Sequence, residues 1–577
     1  MNTQQRDVQV HEIDTGTTVL RSRTWQRLKF EIEYGLQRGT TANSYVIQGT
    51  KLAVIDPPGE SFSAEFLMAF QSRFDLLKVD YIILGHINPN RFATLKAFLA
   101  LAPQVKIITS NPGSIYLRNI LKESESNLNP EIMIIRGDET LDLGLGHCLE
   151  FIPTPLPRWP DEMCSYDPKT KVLFSDKFFG SHVCGQQVLD EGWAVYEEDR
   201  RYYFDCLMAS QAQQVETALE KISLKSANLY ATGHGPLVKY GLIDLTKDYN
   251  FWLRAQKQQD SRVALIYASA YGNTAILAQA IARGISKSGI QVECINAEAT
   301  DPEQIKDSID SCSGFIFGSP TLGGHMPTPV QTALGIALGN SDKTKIVGVF
   351  GSYGWSGEAI DILENKFKDA GYRFGFETIR VKFKPDEAIL KICEEAGTDF
   401  AQSLKKMQRS RKARGSVVDS QTAKTEQALG RIVGSLCIVT CQQGEIKGAM
   451  VASWVTQATF NPPGITVAVA KERAVESLLH KGDSFVVNIL AEGQYVGLMK
   501  HFLKSFAPGE DRFVGVDIAT SDKGHPILNQ SLAYLECQVQ DRMECGDHWL
   551  IYATTEQGKV LGEGITAIHH RKSGTFY

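Results

Sequence analysis

Three features that separate protein classes are missing from this sequence. No two of its 11 cysteines stand in a C-x-x-C spacing, so buried reduced thiols are expected rather than a disulfide framework or an iron–sulfur cluster. No apolar run approaches the roughly 18 residues of a membrane span, and the first residues do not form a signal peptide. The formal net charge of -6 lacks the positive excess of a nucleic-acid-binding protein. We therefore expect a cytoplasmic protein without nucleic-acid or membrane partners.

The most informative pattern lies in the middle of the 577 residues, where a strand leads into a polar loop and a helix. The run V-A-L-I-Y-A is β-branched and aromatic, and A-I-L-A-Q-A-I-A-R follows as a helix. Hydroxyls and N–H groups at a helix N-terminus form a phosphate cradle. The loop matches neither G-x-x-x-x-G-K-[ST] nor G-x-G-x-x-G, so a monophosphate such as that of FMN is expected. The residues expected to bind it are Ser269, Tyr271, Gly272, Asn273 and Thr274.

Two further apolar strands downstream end in glycine-rich loops, F-I-F-G-S-P-T-L-G-G and I-V-G-V-F-G-S-Y-G-W. Three such strands favour a doubly wound parallel sheet that binds its ligand at the carboxyl ends of the strands. Glycines let the backbone approach a flat ring, and aromatic side chains can stack on it. The residues expected around the ring are Pro320, Thr321, Leu322, Gly323, Gly324, Ser352, Tyr353, Gly354 and Trp355. The three loops together resemble those of the flavodoxin family, in particular the flavodoxin module of flavodiiron proteins.

Residues 1–258 alternate apolar strands with loops that carry His or Asp. The order G-T-T-x-N-S-Y, I-D, G-H-x-N, T-P-x-x-x-W-P, L-F-S-D and G-H-G-P resembles the first domain of flavodiiron proteins. The resemblance implies a metallo-β-lactamase-like αβ/βα sandwich, followed by a flavodoxin-like doubly wound α/β domain over residues 259–405. Residues 406–427 are basic and polar without apolar periodicity, and a linker is expected there.

Many short strands separated by turns occupy residues 428–577 and favour a β-barrel. The segment S-W-V-T-Q-A-T and the later G-D-H resemble the FMN-dependent NAD(P)H:flavin oxidoreductases, a split-barrel family. That resemblance implies His548 as the catalytic residue beside the nicotinamide. It also implies a second flavin, FMN or FAD, bound by Ser453, Thr456, Gln457, Thr459 and, as a weaker candidate, Asn488.

The chain as a whole resembles the three-module flavodiiron proteins of oxygenic photosynthetic organisms. The resemblance implies that electrons pass from NAD(P)H to a flavin, then to FMN, and then to a diiron site that reduces O2 to water. It also implies that subunits pair head to tail, so that each FMN faces the iron site of the other subunit.

The family's iron ligands are mostly absent from this sequence. The family has H-x-E-x-D-H on one loop, a His before W-P, a bridging Asp after L-F-S and a last His in S-H-G-P. The corresponding residues here are His86, Asn88, Asn90, Arg91, Arg158, Lys177 and His234, with Asp176 one place before Lys177. Amides ligate poorly and arginine cannot lose its proton, so iron is not expected. We expect the three cations to recruit a chloride, a phosphate or a nearby acidic side chain.

The leading hypothesis is a diflavin electron-transfer oxidoreductase that passes electrons from NAD(P)H toward O2. It is expected to act in a head-to-tail homo- or heterodimer, with iron supplied by an intact related subunit. Two alternatives stay open: an iron-free NAD(P)H:flavin oxidase that produces peroxide, and a regulatory or scaffold subunit with an anion-binding pocket.

Overall fold

The computed structural model describes residues 6–25, 39–123, 128–137, 139–257, 261–340, 342–412, 420–504 and 506–570. The chain divides into two compact units. One consists of Met1–Asp260, Ala264–Ala268 and Gln291–Ser308, and the other of Ser261–Val263, Ser269–Ile290 and Ile309–Tyr577.

The first part of the chain contains two β-sheets, one of seven strands in the order β1 to β7 and one of five in the order β12-β11-β10-β9-β8. The strands are β1 (Asp7–Asp14), β2 (Thr17–Thr24), β3 (Thr40–Gln48), β4 (Leu52–Ile55), β5 (Val79–Ile83), β6 (Lys106–Ser110), β7 (Ile132–Ile135), β8 (Thr140–Gly144), β9 (His147–Pro153), β10 (Met163–Asp167), β11 (Val172–Asp176) and β12 (Leu229–Thr232). The helices are α1 (Ser63–Gln71), α2 (Phe92–Leu101), α3 (Asn111–Glu123), α4 (Glu197–Leu207), α5 (Ala212–Ser223) and α6 (Leu242–Lys257).

Apolar side chains in three layers hold these sheets and helices together. Phe66 of α1 and Phe98 of α2 pack in a core with the strands of the seven-stranded sheet. A second core, which includes Tyr45 and Phe174, lies between the two sheets. A third core joins the five-stranded sheet to α4, α5 and α6, with Tyr249 at its centre. The arrangement is the predicted αβ/βα sandwich.

The middle of the chain forms a six-stranded sheet in the order β14-β13-β15-β16-β17, with β18 also paired to β16. The strands are β13 (Arg262–Tyr267), β14 (Gln291–Asn296), β15 (Gly314–Pro320), β16 (Ile346–Tyr353), β17 (Arg373–Phe374) and β18 (Ile379–Lys382). The helices are α7 (Asn273–Lys287), α8 (Pro302–Ser311), α9 (Thr328–Asn340), α10 (Glu358–Asp369) and α11 (Glu387–Lys412). Strands β15, β17 and β18 all run parallel to β16, as predicted for a doubly wound fold.

The last part of the chain is dominated by an antiparallel sheet in the order β21-β20-β24-β27-β28-β23-β22. The strands are β19 (Gly434–Ser435), β20 (Cys437–Gln443), β21 (Ile446–Ala452), β22 (Val455–Phe460), β23 (Pro463–Ala470), β24 (Ser484–Ile489), β25 (Ile518–Thr520), β26 (Pro526–Leu528), β27 (Ala533–Cys545), β28 (His548–Val560) and β29 (Ile568–His569). The helices are α12 (Ser420–Leu429) and α13 (Val496–Leu503). Among the described residues, no helix combines the length and the hydropathy that a membrane crossing requires.

Residues 406–427, which are predicted to link the second and third modules, are partly helical. Helix α11 continues to Lys412, and α12 covers Ser420–Leu429; residues 413–419 lie outside the described part. Lys, Arg, Gln and Met are good helix formers, so a polar stretch can continue a helix whose apolar face is already packed. The expectation of unpaired thiols is confirmed, because all 11 cysteines are free and eight are buried.

Candidate functional site

The first predicted loop stands at the N-terminus of α7 in the expected cradle shape. Gly272 adopts a left-handed backbone with φ of 80° directly before the helix. The hydroxyl of Ser269 accepts a hydrogen bond from the N–H of Ala275 at 3.1 Å. Thr274 is buried and its Oγ1 lies 2.8 Å from Oγ of Ser352. The first and third loops therefore meet through a pair of hydroxyls.

The second loop is connected to the same serine. Pro320 is opposite Ser352 in the parallel pair β15–β16, and the N–H of Thr321 donates to the carbonyl of Ser352 at 3.0 Å. Gly323 and Gly324 turn the chain with φ of 57° and 82°. A Cβ added at either glycine would have no heavy atom within 4 Å. The loop thus leaves open space in front of its backbone.

The residues present fit a flavin with a single phosphate. The side chain of Tyr271 is 74% exposed and that of Trp355 is 91% exposed, although both are large and apolar enough to be buried by a ring. Oγ1 of Thr321 is a buried polar atom without a hydrogen-bond partner, and such atoms call for a ligand or water. The three loops supply hydroxyls and backbone groups for a phosphate and exposed aromatic faces for a ring system.

The second predicted flavin site surrounds the turn between β21 and β22. Ser453 in this turn is buried, and its hydroxyl has no hydrogen-bond partner. A small cavity beside it is lined by Trp454, Ala468, Ala470 and Arg473, among others. The hydroxyl of Ser453 and the guanidinium of Arg473 could both bind an anionic group of a cofactor placed in this cavity.

The other residues predicted to bind the second flavin differ in whether their side chains are free to contact a ligand. Thr456 and Gln457 are exposed on β22. Oγ1 of Thr459 already donates to the carbonyl of Pro462 at 2.7 Å. Nε2 of Gln457 also donates, to the carbonyl of Thr459 at 3.3 Å, so Ser453 beside the cavity and the exposed Thr456 are the members of the set with the most available polar groups.

Asn488 occupies a different environment, because it is completely buried in β24. Its amide donates to the carbonyl of Ile438 at 3.1 Å and to Oγ1 of Thr440 at 3.0 Å. Its Oδ1 accepts from the N–H of Leu528 at 2.8 Å. These bonds join β20, β24 and β26, so Asn488 serves the core of the sheet, and the geometry gives no support to a role in flavin binding.

His548 begins β28 and lies beside the cavity. Its Nδ1 is 2.7 Å from Oδ1 of Asp547, and its ring centroid is 5.0 Å from that of Trp454. A carboxylate on one ring nitrogen fixes the tautomer and orientation of an imidazole. The imidazole is therefore held between Asp547 and Trp454.

In the first domain, Asp176 lies at the centre of a buried charge cluster. Its carboxylate pairs with Nδ1 of His86, and Nζ of Lys177 is 3.4 Å from its Oδ1. The guanidinium of Arg91 contacts the same oxygen at 3.5 Å and Oδ1 of Asp56 at 3.1 Å. All five side chains are buried. Asp56 and Asp176 both have positive φ angles, of 51° and 41°, a strained conformation that is concentrated at functional sites.

The surrounding charges decide the protonation of Asp176. Burial by itself raises the pKa of a carboxyl group, but the charges of His86, Lys177 and Arg91 outweigh it and hold the pKa of this carboxylate well below its usual range. Burial and, second, the charge of Asp176 raise the pKa of Asp56 to about 6. Asp176 is therefore ionised at neutral pH and attracts the neighbouring cations.

Two more buried acids border this cluster. Oδ2 of Asp161 accepts from the N–H of Ile87 at 2.6 Å, and Oε1 of Glu162 accepts from the N–H of Lys177 at 3.3 Å. Burial raises the pKa of both carboxyl groups, and the charge of Asp176 adds to the rise for Glu162. Acidic groups are thus abundant around the two buried cations.

The remaining predicted positions of the iron site do not all join the cluster. The guanidinium of Arg158 stacks over Trp159 at 4.9 Å, and Asn90 is exposed. Oδ1 of Asn88 accepts from the N–H of Asn90 at 2.9 Å and so shapes the loop. His234 is buried, with Nδ1 2.6 Å from the carbonyl of Thr41.

Of the counter-ions expected for the three cations, which were a chloride, a phosphate or a nearby acidic side chain, acidic side chains lie beside Arg91 and Lys177. Arg91 and Lys177 already have carboxylate partners in Asp56 and Asp176, so the charge is balanced within the same domain. Packing a cation without a counter-ion is unfavourable, and the fold meets this demand internally.

The residues present do not fit a diiron centre. No group of three or more His, Cys, Asp and Glu side chains within the described ranges is arranged to hold a metal ion. The buried ammonium of Lys177 and guanidinium of Arg91 both contact Asp176, and a cation a few ångströms from a metal repels it.

Several members of these sites were not predicted from the sequence. Asp161 and Glu162 directly follow the W-P pair, and Asp56 is the acid of the I-D pair, but their burial could not be read from the sequence. Trp454 and Arg473 line the cavity beside Ser453. The signal for Arg473 was its place three residues after the end of the apolar strand β23.

Family comparisons agree with the three-part architecture. Residues 40–235 match the ODP family beta lactamase, residues 265–397 match flavodoxin, and residues 429–574 match the flavin reductase like domain.

Relatives of similar length cover the whole chain. The chain is 63% identical over 572 residues to putative diflavin flavoprotein A 3 of Synechocystis sp., covering 99% of this chain and 96% of the relative. It is also 63% identical to putative diflavin flavoprotein A 6 of Nostoc sp., with 100% of both chains covered. Among solved structures, the metal-soaked Flv1 flavodiiron core from Synechocystis sp. PCC6803 is 62% identical with a TM-score of 0.68, and the match covers 70% of this chain and 99% of that one.

Proposed function

Because the chain belongs to the cyanobacterial diflavin flavoproteins A, flavodiiron-family electron-transfer oxidoreductases with flavodoxin and flavin reductase domains, we propose that it oxidises NAD(P)H and passes the electrons toward O2. It does so as the iron-poor subunit of a hetero-oligomer whose intact subunit reduces O2 to water. The balanced reaction consumes two NAD(P)H, one O2 and two protons, and gives two NAD(P)+ and two waters.

The observation that carries this proposal is the contrast between the flavin loops and the iron position. Ser352 joins the three flavodoxin loops through Thr274 and Thr321, which supports a flavin site in this module. Asp176 is instead occupied by cations of its own domain, Arg91 and Lys177. A chain that carries electrons without its own metal needs an acceptor elsewhere.

The residues of the middle module are suited to FMN. Ser269, Thr274 and the N–H groups that begin α7 would bind the phosphate, because neutral donors at a helix N-terminus stabilise an anion. The exposed rings of Tyr271 and Trp355 would pack against the ring system. When bound, the flavin supplies an electron store of suitable potential between the donor and the acceptor.

In the last module, Ser453 and Arg473 would bind a second flavin, FMN or FAD, next to the nicotinamide of NAD(P)H. Asp547 holds Nδ1 of His548 at 2.7 Å, which orients the imidazole toward the ligand side. His548 would position the nicotinamide and provide a hydrogen bond there, and Trp454 would pack beside it.

The iron-bearing partner follows from the same charge argument. Head-to-tail pairing with an intact related subunit would place the FMN of this chain next to that subunit's metal site. In a homodimer of this chain, each FMN would instead face the cluster centred on Asp176, which holds cations in place of metal.

The experiment is to purify the chain alone, measure its flavin and metal content, and follow NAD(P)H-driven O2 uptake with and without an intact relative. We expect flavin, iron far below a diiron complement, and O2 uptake that rises strongly when the relative is added. A full diiron complement in the isolated chain would refute the iron-poor assignment, and uptake unaffected by the relative would refute the hetero-oligomer.

An iron-free NAD(P)H:flavin oxidase is the second candidate, and the exposure of the flavin loops favours it. Tyr271 and Trp355 leave the first site open to O2, and reduced flavin exposed to O2 delivers two electrons. Peroxide formed in proportion to the NAD(P)H consumed by the isolated chain would select this candidate. A scaffold with an anion pocket is disfavoured, because Arg91 and Lys177 already have carboxylate partners.

A further inference from the structure

Helix α11 belongs to the flavodoxin module and also contacts the flavin reductase module. It packs closely on α7 because two glycines lie at the crossing. A Cβ at Gly284 would be 1.9 Å from the carbonyl oxygen of Glu394, and one at Gly397 would be 2.0 Å from that of Ile281. No larger residue fits at either position, so the two helix backbones are in direct contact.

The close crossing brings charged side chains of α7 and α11 together in a buried place. The carboxylate of Glu394 is 2.6 Å from Nη1 of Arg283, 2.5 Å from Nζ of Lys287 and 3.5 Å from Nζ of Lys391. Burial raises the pKa of this carboxyl group, but the charges of Arg283, Lys287 and Lys391 outweigh it, so its pKa is well below the usual value. One carboxylate facing three cations leaves an excess of positive charge on this face.

The flavin reductase module provides a carboxylate and hydrogen-bond acceptors for the excess cations of α7 and α11. Nζ of Lys391 donates to the carbonyl of Ala474 at 2.8 Å and also to the hydroxyl of Ser477. Glu476 is 3.6 Å from Nζ of Lys287 and 2.8 Å from Nη2 of Arg542. An acid and two acceptors of the reductase thus meet the cations of α7 and α11.

The flavodoxin match ends at residue 397, and α11 makes further contacts with the reductase module after that residue. Nε2 of Gln402 donates to the carbonyl of Glu472 at 3.4 Å, and Nζ of Lys405 is 3.4 Å from its carboxylate. On the same helix, Glu395 accepts from the N–H of Gly509 at 3.1 Å. The added helical turns therefore extend the surface that touches the reductase module.

We propose that α11, with Arg283 and Lys287 of α7, forms a docking surface that keeps the flavin reductase module on the flavodoxin module of its own chain during turnover. The partner surface is the segment 472–477, and Arg473 of this segment lines the cavity of the second flavin site. The reductase therefore acts as a fixed electron-entry module and does not release reduced flavin to solution.

The electron-transfer part of this inference rests on the proposed function. With flavins bound, a hydride from NAD(P)H and a proton from water would reduce the flavin held beside Ser453 and Arg473 and leave NAD(P)+. The docked surface would then let the same two electrons and two protons move to a flavin held by the loops around Ser352, which would return the reductase flavin to its oxidised form. Docking makes this second step intramolecular, so its rate does not depend on protein concentration.

The test of docking uses the full-length chain with a protease recognition site inserted between Lys412 and Ser420. After cleavage, the two fragments of the otherwise unchanged protein are expected to elute together in size-exclusion chromatography, at low salt and in 0.5 M NaCl (about a 4 Å Debye length), because buried ion pairs are screened weakly. Separation of the fragments at low salt would overturn the proposal.

Charge variants test whether this surface holds the fragments. Lys391→Glu places a carboxylate against Glu394 and the carbonyl of Ala474, so its cleaved fragments should separate. Lys384→Glu, at an exposed lysine outside the surface, should leave them together. The double variant Lys391→Glu with Ser477→Arg restores opposite charges across the contact and should restore co-elution. Co-elution of the cleaved Lys391→Glu protein would overturn the role of the charged surface.

A kinetic measurement separates this proposal from the proposed function. In uncleaved wild-type protein, the rate of flavodoxin-flavin reduction after mixing with NAD(P)H should stay constant over a hundredfold range of protein concentration. A rate that rises in proportion to concentration would refute transfer within the chain. Absence of any reduction by NAD(P)H would refute the proposed function, while the chromatography would still decide the docking. In uncleaved Lys391→Glu protein, reduction of the reductase flavin should be unchanged and reduction of the flavodoxin flavin should be slower.

Discussion

At the scale of single residues, Asp176 decides how the first domain exists without the metal ligands of its family. Its carboxylate contacts His86, Arg91 and Lys177. If this carboxylate were removed, the three buried side chains would each lose a negatively charged partner. Removing one partner of a buried ion pair is costly because the other charge stays in a low dielectric. Asp176 is therefore the counter-ion that Arg91 and Lys177 share.

Asp176→Asn should lower the free energy of unfolding of the first domain by about 3 to 5 kcal/mol, because it leaves Arg91 and Lys177 with less negative charge in a buried place. Urea unfolding monitored by tryptophan fluorescence measures the change. Asp244→Asn is the matched control, since Asp244 pairs with Lys247 at an exposed site where a pair is worth about 0 to 1 kcal/mol. Equal losses in the two variants would contradict the role of Asp176.

The hydroxyls of the first flavin loop permit a second prediction at this scale. The double variant Ser269→Ala and Thr274→Ala should weaken flavin binding, with each lost hydrogen bond to a charged phosphate costing about 1.5 to 3 kcal/mol. Flavin content after purification and titration of the apoprotein with FMN measure the loss. Thr217→Ala, on the exposed face of α5, controls for the substitution, and an unchanged affinity in the double variant would show that the loop does not bind the phosphate.

At the scale of secondary-structure elements, the contact of α7 and α11 with the segment 472–480 combines packing with charge. His480 ends this segment with a side chain that is 15% exposed. Burial, and second the charge of Arg542, lower the pKa of His480 from 6.5 to about 3. The imidazole is therefore neutral in the folded state across the physiological range.

This depressed pKa makes the stability of the flavin reductase module depend on pH. Between pH 6.5 and about 3 the unfolded chain binds a proton that the folded chain does not, so the stabilisation is full above pH 6.5 and is lost as the pH falls. The loss is about 1.4 kcal/mol per pH unit for one proton. Unfolding curves at pH 7 and pH 5 should differ less in His480→Gln than in the unchanged protein. The same pH dependence in both proteins would contradict the assignment to His480.

At the scale of the whole molecule, three modules with separate folds divide the proposed reaction between them. The flavodoxin and reductase modules carry the flavin sites, and the first domain carries the charge cluster. The solved core of the relative from Synechocystis sp. covers 70% of this chain, so a chain of this family without its remaining third can be obtained as a protein.

Deletion of the residues after Gln427 should abolish NAD(P)H oxidation and leave the flavin of the middle module bound, because its three loops are joined within that module through Ser352. The flavin spectrum and the rate of NAD(P)H consumption measure the two effects. An unchanged rate in the shortened protein would show that electrons enter elsewhere.

The amino-acid sequence specifies most of the strands and helices and the first flavin site. Short apolar strands that end in glycine-rich loops have one favourable arrangement, a doubly wound sheet with the loops at one edge, so Ser269, Thr274 and Ser352 can be grouped from the residue pattern. The loss of the iron ligands is also readable, because an Arg or Lys at a ligand position changes the chemistry wherever the side chain points.

The packing of distant segments fixes which charges neutralise one another. Whether Arg91 meets a chloride or Asp56 depends on positions 35 residues apart, and such distances are set by packing of the sheets. Asn488 was a candidate ligand because of its residue type, but the sheet uses all of its hydrogen-bonding groups. That α11 continues past the end of the flavodoxin match could not be read from local sequence either, because Gln402 and Lys405 of this helix have their partners on the reductase module. Local sequence preference specifies a strand or a loop, whereas the partner of a buried charge is fixed only when distant segments fold together.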